Sequence, residues 1–341
     1  MIGGALLFGA ALYIGVPLTN DAPVAVERYA TREEIPGGEQ DDRWKTTWLL
    51  LRLVPATDGP VRLGDPSAPP GSWRECRDVE LTQAFYLGVY EITARQWRLV
   101  TGKPVDNPFD QSGAAGRRAA TGVSYALCRG YLTEGISWPR TGHMVSGDSF
   151  LGRLRRLTGG EIEFDLPTEA QWEYAFRAGT PTPWNDGSGL SPASAPGWKV
   201  RKDLNLDRLG RYALNGGMVV RDGLGALPPA GSGPELGPAI VGSYRPNAWG
   251  FYDMHGNVCE YCLDWFSGPI IDAMRGKDPP GPATCPEANW PARSLRGGCW
   301  WNYLFGGPSA CTSDARYLGN LCSSEIPQIA AGLRVACPAP N

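Results

Sequence analysis

The segment 150–157 (FLGRLRRL) has leucine at every third position, with arginines between the leucines. This spacing places the leucines on one face of a helix and the arginines on a solvent-facing side. We predict an amphipathic helix that begins at Asp148 or Ser149 and ends at Gly159.

Two further helices are predicted from their first residues. Thr93 and Thr168 are each followed by a glutamine three positions later, which is the pattern of a capping box. The first helix is expected to end at Gly102 and the second at Gly179, because glycine readily adopts the left-handed conformation that closes a helix. A shorter helix is predicted to begin at Ser124.

Apolar runs at residues 44–53 and 85–90 predict the first two strands of a domain. Residues 1–18 are apolar but have no Lys or Arg before the apolar run, so they match neither a secretory signal nor a membrane span well. A degenerate signal, a membrane anchor and a strand packed on the domain are the open alternatives. Residues 19–42 are polar and predict a linker. The expected organisation is an apolar leader and linker over 1–42, followed by one domain over 43–341.

The stretch 247–265 (NAWGFYDMHGNVCEYCLDW) alternates aromatic residues with glycine, asparagine and acids, a pattern poorly suited to an amphipathic helix. Clustered oxygens on a glycine-containing turn are typical of sites for hard cations. We therefore expect a structural calcium ion with Asn257 and Glu260 as ligands and with Asp253 or Asp264 supporting the turn. The alternative is a buried turn whose polar side chains satisfy the backbone.

Composition bears on the amount of regular structure, on the class of partner and on metal binding. The 45 glycines and 31 prolines predict a chain with much irregular structure, and the 13 tryptophans can anchor a core without long helices. A net charge of −3 does not suggest a nucleic-acid partner. Cys259 and Cys262 form a CxxC, but no second such pair exists to complete a zinc site. Buried structural thiols are the favoured interpretation.

The turn segment GFYDMHGNVCEYCLDW resembles the signature G-L-Y-D-M-x-G-N-V-W-E-W-x-x-D-W of the formylglycine-generating enzyme, or sulfatase-modifying factor, family. Four more segments agree in order: FYLGVYEITARQW at 85–97, LPTEAQWEYAFRAG at 166–179, SLRGGCWWN at 294–302 and GLRVA at 332–336. The resemblance covers roughly residues 43–338. It implies an α+β, C-type-lectin-like fold with much irregular structure.

The resemblance does not extend to the family's copper site. In the enzymes, two cysteines five residues apart follow the R-G-G-[ST]-[WY] motif and bind copper(I). Here those positions hold Asn302 and Gly307. Other branches use three histidines for iron, and this chain has only His143 and His255. No copper is expected, and the sequence leans away from an enzyme.

The segment 302–331 mixes aromatic and small polar side chains, as recognition surfaces do. It resembles the diversified segment of the variable proteins of diversity-generating retroelements, which share the lectin-like fold. Only Glu325 and Gln328 lie outside the residues reachable by adenine-directed mutation of Asn codons. Ordinary core alternation in a β-ribbon is the alternative. The expected ligand-binding residues are Trp301, Asn302, Tyr303, Phe305, Ser309, Asp314, Tyr317, Leu318, Asn320, Ile326 and Gln328.

The sequence therefore favours a non-catalytic protein that binds a protein or cell-surface ligand, at the cell surface or outside the cell, although a cytoplasmic location is also open. A membrane would be contacted only through the N-terminal apolar segment. The alternative function is an oxidoreductase of the same family that uses Cys299 or Cys311 and acts on a protein cysteine or small thiol.

Overall fold

A computed structural model describes residues 11–19, 23–105, 114, 116–130, 144–190, 203–215, 237–286, 292–300, 311–312, 315–318 and 330–340. Within these ranges the helices are α1 (Ala94–Thr101), α2 (Tyr125–Cys128), α3 (Phe150–Leu157) and α4 (Glu169–Arg177). The strands are β1 (Tyr13–Pro17), β2 (Glu27–Tyr29), β3 (Trp48–Val54), β4 (Val61–Leu63), β5 (Arg77–Glu80), β6 (Phe85–Gly88), β7 (Gly210–Arg211), β8 (His255–Gly256), β9 (Cys259–Trp265), β10 (Gly276–Lys277), β11 (Arg293–Arg296), β12 (Arg316–Leu318), β13 (Ala331–Gly332) and β14 (Ala336–Pro338). Short 3-10 helices cover Asp42–Lys45, Leu206–Arg208 and Asp272–Met274.

The predicted helix starts are confirmed. Thr93 and Thr168 each accept the backbone N–H of the glutamine three positions on, and each glutamine side chain accepts the threonine N–H in return. Ser149, one of the two candidates, caps α3. Gly102 ends α1 with a φ of +73°, whereas α4 ends one residue earlier than expected, at Ala178 in the left-handed conformation.

A five-stranded antiparallel sheet runs in the order β14-β6-β3-β1-β2. Its central strand β3 begins at Trp48, because the preceding residues 42–45 form a 3-10 helix instead of the predicted strand. The sheet joins the end of the chain, through β14, to strands close to its start.

Of the alternatives left open for residues 1–18, the described residues agree with a strand packed on the domain. β1 pairs with β3 along its whole length, and Tyr13, Ile14 and Val16 are buried in the main core. A boundary at residue 43 would therefore cut through one sheet, because strand pairing joins segments that look unrelated in sequence. In the described part of the chain, no helix is long and apolar enough to cross a membrane.

A second sheet, in the order β12-β11-β9-β13, carries the strand β9 from the aromatic stretch. Helix α4 packs on this sheet, and two of its hydrogen bonds reach β9: Trp172 Nε1 donates to Glu260 at 2.6 Å, and the Glu169 N–H donates to Asp264 at 2.7 Å. Trp172 and Trp300 are fully buried, as core residues should be. Trp249 and Trp265, expected in the core as well, are only half-buried.

Candidate functional site

The aromatic stretch is a buried turn held by its own side chains. Asn247 donates to the carbonyls of Ala175 and Phe176 at 2.8 and 3.0 Å, which ties the turn to the last residues of α4. Its side-chain oxygen accepts the backbone N–H groups of Trp249 and Phe251. The polar residues of the turn therefore satisfy backbone groups, as the second interpretation of this stretch predicted.

Glu260 forms a buried two-point ion pair with Arg334. The guanidinium of Arg334 donates to both carboxylate oxygens, with contacts of 2.7 and 3.0 Å. The same side chain also donates to the carbonyls of Gly88, Val89 and Tyr252. Arg334 thus joins the turn to the end of β6. The motif GLRVA contains this arginine, but the sequence did not show which groups its side chain contacts.

Two more carboxylates lie close to Arg334. Glu91 accepts the side-chain amide of Asn257 and the N–H of Val258. Burial, together with the nearby carboxylates of Asp253 and Glu260, raises the pKa of Glu91 well above its usual value. This acidic group was missed from sequence because Glu91 lies far from the turn along the chain.

Asp253 is fully buried within the same cluster and has a φ of +56°. One of its oxygens accepts the N–H of Gly242 at 2.5 Å, while Oδ1 has no hydrogen-bond partner among the described residues. Burial is the main cause that raises the pKa of Asp253 to about 6. This carboxyl therefore changes charge near neutral pH.

Calcium binding by Asn257 and Glu260 stays a prediction. The Asn257 side-chain oxygen accepts the N–H of Ala239 at 2.7 Å, and Glu260 is engaged by Arg334 and Trp172. An ion at Glu260 would have to displace these donors. Among the residues with described positions, no group of three or more His, Cys, Asp or Glu side chains is arranged to hold a metal.

His255 is buried and neutral. Its Nε2 accepts the N–H of Asn185 at 3.2 Å, so Nδ1 carries the proton and donates to the carbonyl of Cys311 at 2.7 Å. Burial lowers the pKa of His255 to about 4. Both ring nitrogens are therefore engaged in hydrogen bonds within the fold. His143 lies outside the described residues.

The thiols near the family's copper positions are buried. Burial raises the pKa of Cys311, and a hydrogen bond to Cys299 followed by burial raises that of Cys259. Cys262, the other half of the CxxC, also has its pKa raised by burial. With Asn302 and Gly307 at the two copper positions, the residues present do not fit a copper(I) pair.

Both ends of the proposed recognition segment attach to the same stretch of chain. At the start, the N–H of Trp300 donates to the carbonyl of Asn257 at 2.8 Å. At the end, the carbonyl of Ala330 accepts the N–H of Cys259 at 2.8 Å. The residues on either side of 301–329 are therefore held by backbone groups only two residues apart.

Of the predicted ligand-binding residues, the structure places two in a described element. Tyr317 and Leu318 lie in β12, where they pair with Leu295 and Ser294 of β11. The other predicted residues lie outside the described residues: Trp301, Asn302, Tyr303, Phe305, Ser309, Asp314, Asn320, Ile326 and Gln328.

Comparison with known proteins agrees with this architecture. The family model "Sulfatase-modifying factor enzyme 1-like domain" matches residues 52–339. The formylglycine-generating enzyme of Streptomyces coelicolor is 36% identical over 138 residues, which cover 40% of this chain and 35% of the enzyme. The mouse formylglycine-generating enzyme is 24% identical over 277 residues, covering 73% of this chain and 66% of that protein. The matched stretch thus spans about a third of the Streptomyces enzyme.

Two solved structures share the fold. Treponema denticola variable protein 1 superimposes with a TM-score of 0.59 at 22% identity, covering 86% of this chain and 96% of that one. PvdO from Pseudomonas aeruginosa gives a TM-score of 0.54 at 20% identity, covering 85% and 94%. The chain belongs to the family of sulfatase-modifying factor enzyme 1-like domains and has its α+β, C-type-lectin-like fold.

Proposed function

We propose that this protein is a non-catalytic binding protein of the diversity-generating retroelement variable type. Its variable contact surface is carried by residues 302–331 on a formylglycine-generating-enzyme-like scaffold, while Cys311, Thr312, Ala315 and Ala331 within that range are buried and belong to the scaffold. The ligand is a protein or another molecule on a cell surface. One observation carries the proposal: both ends of the segment are fixed on the backbone of 257–259.

A segment with fixed ends can change its sequence without changing the scaffold. The backbone groups that fix the ends belong to Trp300, which is fully buried, and to Ala330, which precedes the buried Ala331. Just before the segment, Arg296 forms buried ion pairs with Glu169 and Glu173 at 3.4 and 2.8 Å. Loops placed on a rigid framework commonly carry binding functions and tolerate substitution.

Two further facts support the proposal. The fold is similar to that of a protein whose name states that it is variable. The composition of the segment also fits adenine-directed mutation of Asn codons, since only Glu325 and Gln328 fall outside that set.

An oxidoreductase acting on a protein cysteine or small thiol is the second candidate. The identity to the Streptomyces coelicolor enzyme favours it. Against it stand the missing cysteine pair and the raised pKa of Cys311, because the thiolate is the form that binds copper and attacks substrates. We therefore rank it second.

Sequencing of the gene and its surroundings tests the proposal. We expect a nearby reverse-transcriptase gene and a template copy of codons 300–335. Among sister isolates, differences should concentrate at adenine positions within codons 302–331. Differences spread evenly over the gene, with no template copy, would contradict it. Copper-dependent oxidation of a cysteine-containing peptide by the purified protein would instead support the oxidoreductase.

The proposal includes a location at the cell surface or outside the cell, where the segment can reach its ligand. Labelling of intact cells with a membrane-impermeant amine reagent checks this, because only a protein displayed outward is labelled before lysis. Labelling only after lysis would place it in the cytoplasm.

A structural calcium ion at Asn257 and Glu260 is the last part of the proposal. If the ion is present, EDTA should lower the melting temperature and added calcium should restore it. The variant Asn257→Ala should lose this response. An unchanged melting temperature in EDTA would remove calcium from the account.

A further inference from the structure

Three buried thiols lie close together near the turn that follows β11. Cys259 lies on β9, Cys299 follows the glycine pair 297–298, and Cys311 starts the next described stretch. All three are buried, and none of them forms a disulfide. The Cys259 thiol is hydrogen-bonded to the Cys299 thiol, and the Cys311 thiol accepts a hydrogen bond from the Cys299 backbone.

The CxxC is not the reactive pair. Cys259 and Cys262 are three residues apart on one strand, so their side chains point to opposite faces. Cys262 instead faces the charges of Asp264, Glu169 and Arg296. The neighbour of the Cys259 thiol therefore comes from the turn after β11.

The backbone holds this turn against β9. The Gly256 N–H donates to the Gly297 carbonyl at 2.7 Å, and the Trp300 N–H donates to the Asn257 carbonyl at 2.8 Å. With both sides of Cys299 fixed, the two sulfurs only have to close from hydrogen-bond contact to a bond of about 2.05 Å.

We propose that Cys259 and Cys299 are an oxidisable pair that forms a disulfide with a peroxide as oxidant. The Cys299 thiolate attacks a peroxide oxygen, the O–O bond breaks, and a Cys299 sulfenic acid forms, while the leaving hydroxide takes up the proton that the thiol released and becomes water. The second thiol attacks the sulfenic sulfur, the S–O bond breaks, and a second water leaves. The two thiols lose two electrons, which reduce hydrogen peroxide to two waters.

This bond would fix the base of segment 301–329 to β9 covalently. It closes a covalent loop between residues 259 and 299, and it fixes the turn that precedes the segment. The inference does not depend on what the segment binds, because it rests only on the thiols and the backbone around them.

The test uses the full-length protein, first reduced and then freed of reductant. Hydrogen peroxide is added at mildly alkaline pH, remaining thiols are alkylated under denaturing conditions, and the protein is digested. Trypsin leaves Cys259 together with Cys262, and Cys299 together with Cys311, so a second cleavage after aromatic residues is needed to separate them. We expect the fragment with Cys259 cross-linked to the fragment with Cys299, lighter by two hydrogen atoms and separated again by reductant.

Cys285 is half-buried and serves as an internal control for peroxide activity. If Cys285 is oxidised while Cys259 and Cys299 are both recovered alkylated, the inference is wrong. A cross-link through Cys262 or Cys311 would also overturn it. Among variants, Cys262→Ser and Cys311→Ser should keep the cross-link, whereas Cys259→Ser and Cys299→Ser should lose it.

Discussion

At the scale of single residues, Arg334 balances the charge of the buried turn. Glu260 contacts it directly, and Glu91 and Asp253 lie within reach of its charge. Lys45 is the other cation that acts on Asp253. Charges taken out of water are costly unless they are paired and hydrogen-bonded, so the turn depends on this one guanidinium.

Replacing Arg334 should therefore be severe. Arg334→Met leaves the carboxylates without their main partner and frees three carbonyls, so we expect a loss of about 3–5 kcal/mol in the free energy of unfolding. The matched control is Arg28→Met, which breaks an exposed pair with Glu161 and should change stability by less than about 1 kcal/mol. Urea unfolding of both variants measures their free energies of unfolding. Equal losses of stability would show that the buried contacts of Arg334 contribute no more than the exposed pair of Arg28.

Asp253 predicts an unusual pH dependence. Its folded pKa of about 6 lies above the usual aspartate value of 3.8, so between these values the folded protein holds a proton that the unfolded chain releases. Stability from this group is therefore present at low pH and is lost as pH rises through 6, by up to about 3 kcal/mol. Asp253→Asn removes the effect and keeps an acceptor for Gly242.

The measurement is urea unfolding of wild type and Asp253→Asn at about pH 4 and pH 7. As pH rises, the free energy of unfolding of the variant should increase relative to that of the wild type. His255 contributes with the opposite sign, since its folded pKa of about 4 lies below 6.5, but it is common to both proteins and cancels. A stability difference that does not change with pH would contradict the prediction.

At the scale of elements, β1 stabilises the large sheet from its interior. It lies between β3 and β2, and Val16 is fully buried. Val16→Asp should abolish soluble, folded protein or cost more than about 3 kcal/mol, because it buries an unpaired charge. Ala25→Asp is a nearby exposed control and should be almost neutral. A folded Val16→Asp protein of normal stability would restore the view of this region as a leader.

The contrast between helices and strands explains what sequence could predict. Thr93, Ser149 and Thr168 start helices through hydrogen bonds within a few residues, so the local pattern was sufficient. β1 is defined by pairing with β3, which lies much further along the chain. For the same reason the aromatic turn was located from sequence, but the Arg334 and Glu91 side chains that complete it were not.

At the scale of the whole molecule, the proposal distinguishes a fixed framework from a contact segment at 302–331, although β12 within that segment pairs with β11 and so belongs to the framework. The framework is the pair of sheets joined by α4, Arg296 and Arg334. The segment begins and ends at neighbouring positions on 257–259. On this account, stability depends on the framework and recognition depends on the segment.

A thermal-melt scan of single substitutions tests this separation most directly. Tyr303, Phe305, Asn320 and Gln328 are replaced by Ala or Ser, and Trp172 and Trp300 by Ala. The account predicts changes below about 0.5 kcal/mol for the first group and losses of about 3–5 kcal/mol for the second. The half-buried Trp249 and Trp265 should fall between the two. Equal destabilisation of both groups would show that the segment is part of the core, and the binding-surface account would be wrong.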